Sequence, residues 1–147
     1  MTREDILKKI IEEQQRVIDN LHYSVERYKT ASDLDEDDTS DPDDFARQTE
    51  AKDMQLRFEK LLQKEKQDMA YVLAELDRTH TEVEEGALIE TPKNYLFVAV
   101  PLPKFNINGK DVFCISAEAP IFSKIKGKTV GDSIKIGSED LEIIAVS

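Results

Sequence analysis

Cysteine and histidine are nearly absent from this chain: Cys114 stands alone, and His22 and His80 are the two imidazoles among 147 residues. A single cysteine excludes an internal disulfide and a cysteine-rich zinc site, which fits a reducing, cytoplasmic setting. Neither histidine has a nucleophile partner in the sequence, and Cys114 alternates with apolar neighbours as a buried strand thiol does, so nucleophilic catalysis lacks its parts. Tryptophan is missing. No apolar run approaches the ~20 residues needed to cross a bilayer, and the N-terminus does not resemble a signal peptide, so a soluble protein is expected. Glycine is scarce as well. Gly127-Lys128-Thr129 imitates the end of a phosphate-binding loop, but Phe122 stands where that loop requires its first glycine, so the segment reads as a turn. An enzyme acting on its own is not expected.

Charge is plentiful and unevenly placed. The net charge is −11. Residues 1–31 carry six acids and six bases, and residues 46–80 carry seven of each. Between them, residues 32–45 hold eight acids (Asp33, Asp35, Glu36, Asp37, Asp38, Asp41, Asp43 and Asp44) and no base. Such a segment repels nucleic acid and attracts divalent metal or a basic protein surface.

Apolar spacing divides the chain into two parts. Leu7, Ile10, Ile11, Val17, Ile18, Leu21, Val25 and Tyr28 recur at helical period from Arg3 to Lys29, with no glycine or proline between them. Phe58, Leu61, Leu62, Met69, Val72, Leu73 and Leu76 form a second stripe, predicting a helix over Pro42 to Thr79. Two such helices bury their stripes against each other as an antiparallel coiled-coil hairpin spanning 1–80, with 32–45 as its acidic tip. From 81 onward the period shortens to two. Ala87–Glu90, Tyr95–Val100, Asp111–Ser116, Ser133–Ile136 and Leu141–Val146 read as strands, Asn108-Gly109 as a hairpin turn, and Pro120–Lys126 as a short helix. The fold class is therefore α+β: a long helical hairpin, then a small antiparallel β domain over 81–147 covered by one short helix. A monomer is expected, because the hairpin closes on itself.

Part of the acidic cluster has an ordinary explanation. Asp41-Pro42-Asp43-Asp44 reads as a helix start, with Asp41 as cap, Pro42 at the first helical position and carboxylates in the first turn. Asp33, Asp35, Glu36, Asp37 and Asp38 are left without that role, and no base relieves their mutual repulsion. A calcium loop beginning at Asp33 fails where specificity lies, because Asp38 replaces the obligatory glycine and Asp44 the bidentate glutamate. A merely solvated loop remains the plain alternative.

Two stretches, in order, resemble the GreA/GreB family of bacterial transcript cleavage factors. Ser32-Asp33-Leu34-Asp35-Glu36-Asp37 is similar to the family's Gly-Asp-Leu-x-Glu-Asn tip. Glu118-Ala119-Pro120-Ile121 and Gly127-Lys128-Thr129-Val130-Gly131-Asp132 are similar to the Ser-Pro-Ile helix and Gly-Lys-x-x-Gly-Asp turn of its FKBP-like domain. Ser32, Asp37 and Ala119 depart from those patterns, the Glu-Tyr pair that follows the family's tip is missing, and the loop is longer and more acidic.

The resemblance implies an FKBP-like fold for the second domain and RNA polymerase as the partner. It implies that Asp33 and Glu36 supply ligands to a magnesium ion shared with the polymerase active site, with Asp37 and Asp38 as further metal-directed acids, and that Glu118, Ala119 and Pro120 dock on the polymerase. The hairpin would enter the secondary channel and stimulate cleavage of backtracked RNA, with the polymerase as catalyst. The rival readings are a Gre homologue that inhibits polymerase, a prolyl isomerase or chaperone built on the FKBP-like domain, and a coiled-coil adaptor.

Overall fold

A computed structural model describes residues 1–33 and 42–147. Its elements, in order, are α1 (Arg3–Asp33), α2 (Pro42–Glu75), β1 (Leu88–Glu90), β2 (Asn94–Ala99), β3 (Leu102–Ile107), β4 (Lys110–Ser116), α3 (Pro120–Ile125), β5 (Ser133–Ile136), β6 (Glu139–Glu142) and β7 (Ala145–Val146). They form two compact units, one of Met1–Ile11 with Ala70–Ser147 and the other of Glu12–Met69.

Local chemistry sets the helix starts. Ahead of α1, the Asp5 amide donates to Thr2 Oγ1 at 3.2 Å and the Thr2 amide donates to Asp5 Oδ2 at 3.1 Å, a reciprocal cap that satisfies two amides otherwise left open. These bonds hold the Asp5 carboxyl below its ordinary range. Pro42 is the first residue of α2, where its missing N–H costs nothing. The proposed cap, Asp41, lies outside the described residues.

In the unit Glu12–Met69 the two helices run antiparallel. Gln14 meets Glu65, whereas Tyr28, farther along α1, stacks on Phe58, earlier on α2, with ring centroids 5.4 Å apart. Ile18, Val25 and Leu62 form the buried seam, flanked by Leu21, Phe58 and Met69. Leu61, expected in that stripe, is instead 47% exposed. The helical period turns it away from the seam that Leu62 fills. Gln14 is fully buried instead and donates to the Glu65 backbone oxygen at 2.9 Å and to its carboxylate at 2.7 Å.

In the other unit, five strands lie in the order β3-β4-β2-β1-β7, and β5 pairs with β6 in a separate ribbon. The sheet is mixed rather than antiparallel as expected, because β2 and β4 are parallel neighbours, Asn94 opposite Asp111 through Ala99 opposite Ser116. The Asn108-Gly109 turn fixes β3 against β4, with both residues at positive φ as a tight hairpin requires. The chain leaving β2 then steps past the end of β4 before it returns, and β4 lies between. Alternation in the sequence marks strands but not their partners.

Both faces of the sheet are covered. Tyr95 and Phe97 of β2 and Val112 and Cys114 of β4 pack with Leu88 against Ile6, Leu7 and Ile10 of α1 and Val72 of α2. Leu96 and Val98 face the opposite core, which contains Phe122 and Ile125 of α3, with Ile134 and Ile143. Double coverage explains why β2 is buried at nearly every position. Cys114 is a buried thiol, as its alternating neighbours suggest. Leu73, expected among the buried residues of α2, is 48% exposed.

Leu141–Val146 is not a single strand: β6 ends at Glu142 and β7 begins at Ala145. Ile143 breaks the run because its backbone bonds with Gly131 and Asp132, while Ile144 donates to Glu90 on β1. The chain thereby passes from the ribbon to the main sheet. Phe97 has no exposure at the centre of one core, so Phe97→Ala should lower unfolding free energy by about 3–5 kcal/mol in urea. Phe45→Ala, at a side chain 64% exposed, should change it by less than about 0.5 kcal/mol.

Candidate functional site

Asp33 is the last residue of α1, within the helix rather than beyond it. Glu36, Asp37 and Asp38 lie outside the described residues. The position of Asp33 bears on its purpose. An acid at a helix C-terminus opposes the macrodipole, in contrast to the favourable acids Glu4 and Asp5 in the first turn of α1. Among the described residues no group of three metal-ligating side chains is gathered. Likewise, no helix among them is long and apolar enough to cross a membrane.

Glu118, Ala119 and Pro120 come together at the start of α3. Ala119 is the N-cap in extended conformation with no side-chain cap, Pro120 opens the helix, and Ser123 Oγ donates back to the Pro120 oxygen at 2.8 Å. Glu118 and Pro120 are exposed, while Phe122 and Ile125 anchor the helix from below. The turn that follows is held by backbone. Gly127 donates to Val83 and Val83 to Lys128, each at 2.8 Å, and the Thr129 amide donates to Asp132 Oδ2 at 2.8 Å. Gly127 and Gly131 both take positive φ, so this segment is a turn as its sequence suggests. Val130, 58% exposed, lies in that turn.

A buried ionic network was not anticipated from the sequence. Glu75, 1% exposed, ends α2. Its Oε2 accepts from Arg3 Nη2 at 3.0 Å and lies 2.9 Å from His80 Nε2, while Oε1 faces Arg78 Nη1 at 3.4 Å. Arg3 also donates to the backbone oxygens of Glu75, Gly86 and Ser147, at 3.0, 3.0 and 2.7 Å. His80 Nδ1 lies 2.6 Å from Glu84 Oε1. Burial pulls the Arg3 guanidinium below its ordinary value, and Glu75 pulls it back. Both Glu75 carboxylate oxygens are occupied, which makes this a tie between segments rather than a reactive centre. One signal was available: Glu75 falls at helical spacing from Val72 in a stripe otherwise apolar, where an unpaired charge would be prohibitive.

Gly86 completes the arrangement. With φ at +89°, it places its Cα so close to Glu75 that an added Cβ would meet the carboxylate carbon at 2.4 Å. Arg3→Met, which takes from the buried carboxylate its one buried arginine and leaves it Arg78 and His80, should cost about 3–5 kcal/mol of unfolding free energy. Combining Arg3→Met with Glu75→Leu should restore much of that stability. Equal losses in the single and double variants, measured by urea titration, would show that charge pairing is not the source.

No family model matches the chain, and no curated protein sequence matches it. Among solved structures, it is similar to the GreA factor homolog 1 (Gfh1) protein of Thermus thermophilus, at 14% sequence identity and a TM-score of 0.34, over 98% of this chain and 94% of that one.

Proposed function

We propose that this protein is a Gre-type transcription elongation factor. In this reading residues 1–80 act as a coiled-coil hairpin with its acidic tip at 32–45, and 81–147 as an FKBP-like docking domain. The hairpin enters the secondary channel of RNA polymerase and presents Asp33 and Glu36 to the active site. Magnesium favours one or two carboxylates completed by water and phosphate oxygens, so two acids on a tip serve a shared ion better than a private one. The second metal ion of a two-metal site then helps to form the attacking hydroxide or to stabilise the leaving oxygen, and backtracked RNA is cut. Asp37 and Asp38 add negative potential around the ion, and Glu118, Ala119 and Pro120 dock on the polymerase rim. The polymerase is the catalyst, and the factor works in the bacterial cytoplasm as a monomer.

The observation that carries this reading is the placement of Asp33. Asp33, the last residue of α1, begins a run of five acids that contains no base. Capping is the role expected of Asp41, Asp43 and Asp44, and it leaves Asp33 without one. The motif resemblance at 32–37 and at 118–132 supplies the chemistry and the partner.

Backtracked elongation complexes of the cognate polymerase, supplied with magnesium and the purified protein, should show rapid shortening of RNA from its 3′ end. Asp33→Ala with Glu36→Ala should slow that shortening by roughly 10- to 100-fold or more, the scale of losses when groups around a metal are removed. Slowed extension without shortening, dependent on the same acids, would replace cleavage with inhibition. No effect on either process would overturn the polymerase assignment.

A further inference from the structure

The seam between α1 and α2 thins toward the acidic end of the hairpin. Ile18, Val25 and Leu62 are buried in it. Past Val25, the described side chains of α1 are exposed except that of Tyr28, which is half-buried and stacks on half-buried Phe58. On α2, none of the described side chains from Pro42 to Met54 is buried. Tyr28 is therefore the last described side chain of α1 with shelter from water. From there α1 runs unbroken for five more residues to Asp33, about 7.5 Å along its axis. So short a piece of helix is stiff, and whatever fixes Tyr28 fixes where α1 ends.

The kind of contact matters as much as its place. The two rings lie 5.4 Å apart between centroids with 18° between their planes, so they are nearly parallel and offset, an arrangement that aromatic quadrupoles favour. Aliphatic side chains can exclude water in many relative orientations. Two flat rings do so in few, because the separation of the helices and the rotation of each must bring both faces together. We propose that Tyr28 and Phe58 are positioning residues for the acidic end of the hairpin: their stack sets the spacing and rotation of α1 against α2 where Asp33 begins the run of acids.

This inference rests on the reading of the tip acids as ligands to a shared ion. A reacting group misplaced by about 1 Å can cost on the order of 100-fold in rate, so a contact made wholly within the hairpin governs the reaction through the geometry it imposes. Positioning separates from stability at the choice of replacement. Tyr28→Leu keeps apolar bulk in the seam and has the better helix propensity, so the helix persists while the plane is lost. Tyr28→Phe keeps the plane and loses the hydroxyl alone.

Two measurements on the full chain test the proposal, one of them without polymerase. Nitroxides at Thr30→Cys and Glu50→Cys, both exposed positions, in a Cys114→Ala background, report the distance between the helices by pulsed electron paramagnetic resonance. The distance distribution should be single and narrow with Tyr28 and with Tyr28→Phe, and should broaden in Tyr28→Leu. In backtracked elongation complexes, Tyr28→Leu should lower the maximal rate of RNA shortening roughly 10- to 100-fold and leave the half-saturating protein concentration in place, while Tyr28→Phe should keep both. An unaltered distance distribution in Tyr28→Leu would overturn the proposal. So would an unaltered maximal rate in Tyr28→Leu where the unsubstituted protein shortens RNA. A protein that shortens no RNA, yet shows the broadening in Tyr28→Leu, would remove the cleavage reading and leave the stack as what orients the end of the hairpin.

Discussion

A carboxylate removed from water must find compensation on the spot, and Glu75 finds it in Arg3, Arg78 and His80. The cost of burying an unpaired charge amounts to several kcal/mol even after relaxation, a large share of a small domain's stability. This constraint ties together chain segments that are far apart in sequence. Arg3, 72 residues before Glu75, brings the start of α1 to the end of α2, and the same guanidinium collects the carbonyls of Gly86 and Ser147. Gly86 can have no side chain because the carboxylate already occupies the space. A helix end, a helix start, a loop and the residue that follows the last strand thus share one electrostatic centre.

The sheet beside that centre is built for coverage on two sides. Alternate residues of β2 enter different cores, Tyr95 and Phe97 one, Leu96 and Val98 the other. Placing β2 and β4 side by side and parallel puts the most apolar strands where both faces are covered, while β3 and β7 take the margins. α3 is short, yet Phe122 and Ile125 root it in the second core. Glu118 and Pro120, exposed where the helix begins, therefore stand on a firm base.

Periodicity made the helices legible, since an uninterrupted stripe such as Leu7 to Tyr28 fits no other structure, and Asn108-Gly109 named its own hairpin. What escaped were facts that depend on a partner. The parallel pairing of β2 with β4 leaves no mark in either strand, and the break at Ile143 arises from bonds to Gly131 and Asp132 more than ten residues earlier. Leu61 and Leu73 carry the right chemistry at the wrong phase, and only the position of the facing helix shows it. The acids of 32–45 could be counted in the sequence, and capping could be subtracted from them. That Asp33 belongs to α1 required the helix to be seen, because after Tyr28 the one apolar residue before Asp33 is the small Ala31, too little to extend the stripe. The network around Glu75 was least visible, since it joins positions that no local pattern links.

The two margins of the five-stranded sheet decide what the sheet can associate with. β3 is an edge, and a row of open amides and carbonyls on an edge invites a strand from another molecule. Here Pro103 brings no N–H, Lys104 places a charge beside it, and the register slips between Leu102 and Phe105, so a visiting strand would meet a gap, a cation and a bend in succession. The opposite margin, β7, is two residues long and too short to template anything. A protein of this design keeps its sheet to itself at high concentration, leaving its charged and helical surfaces to choose its partners.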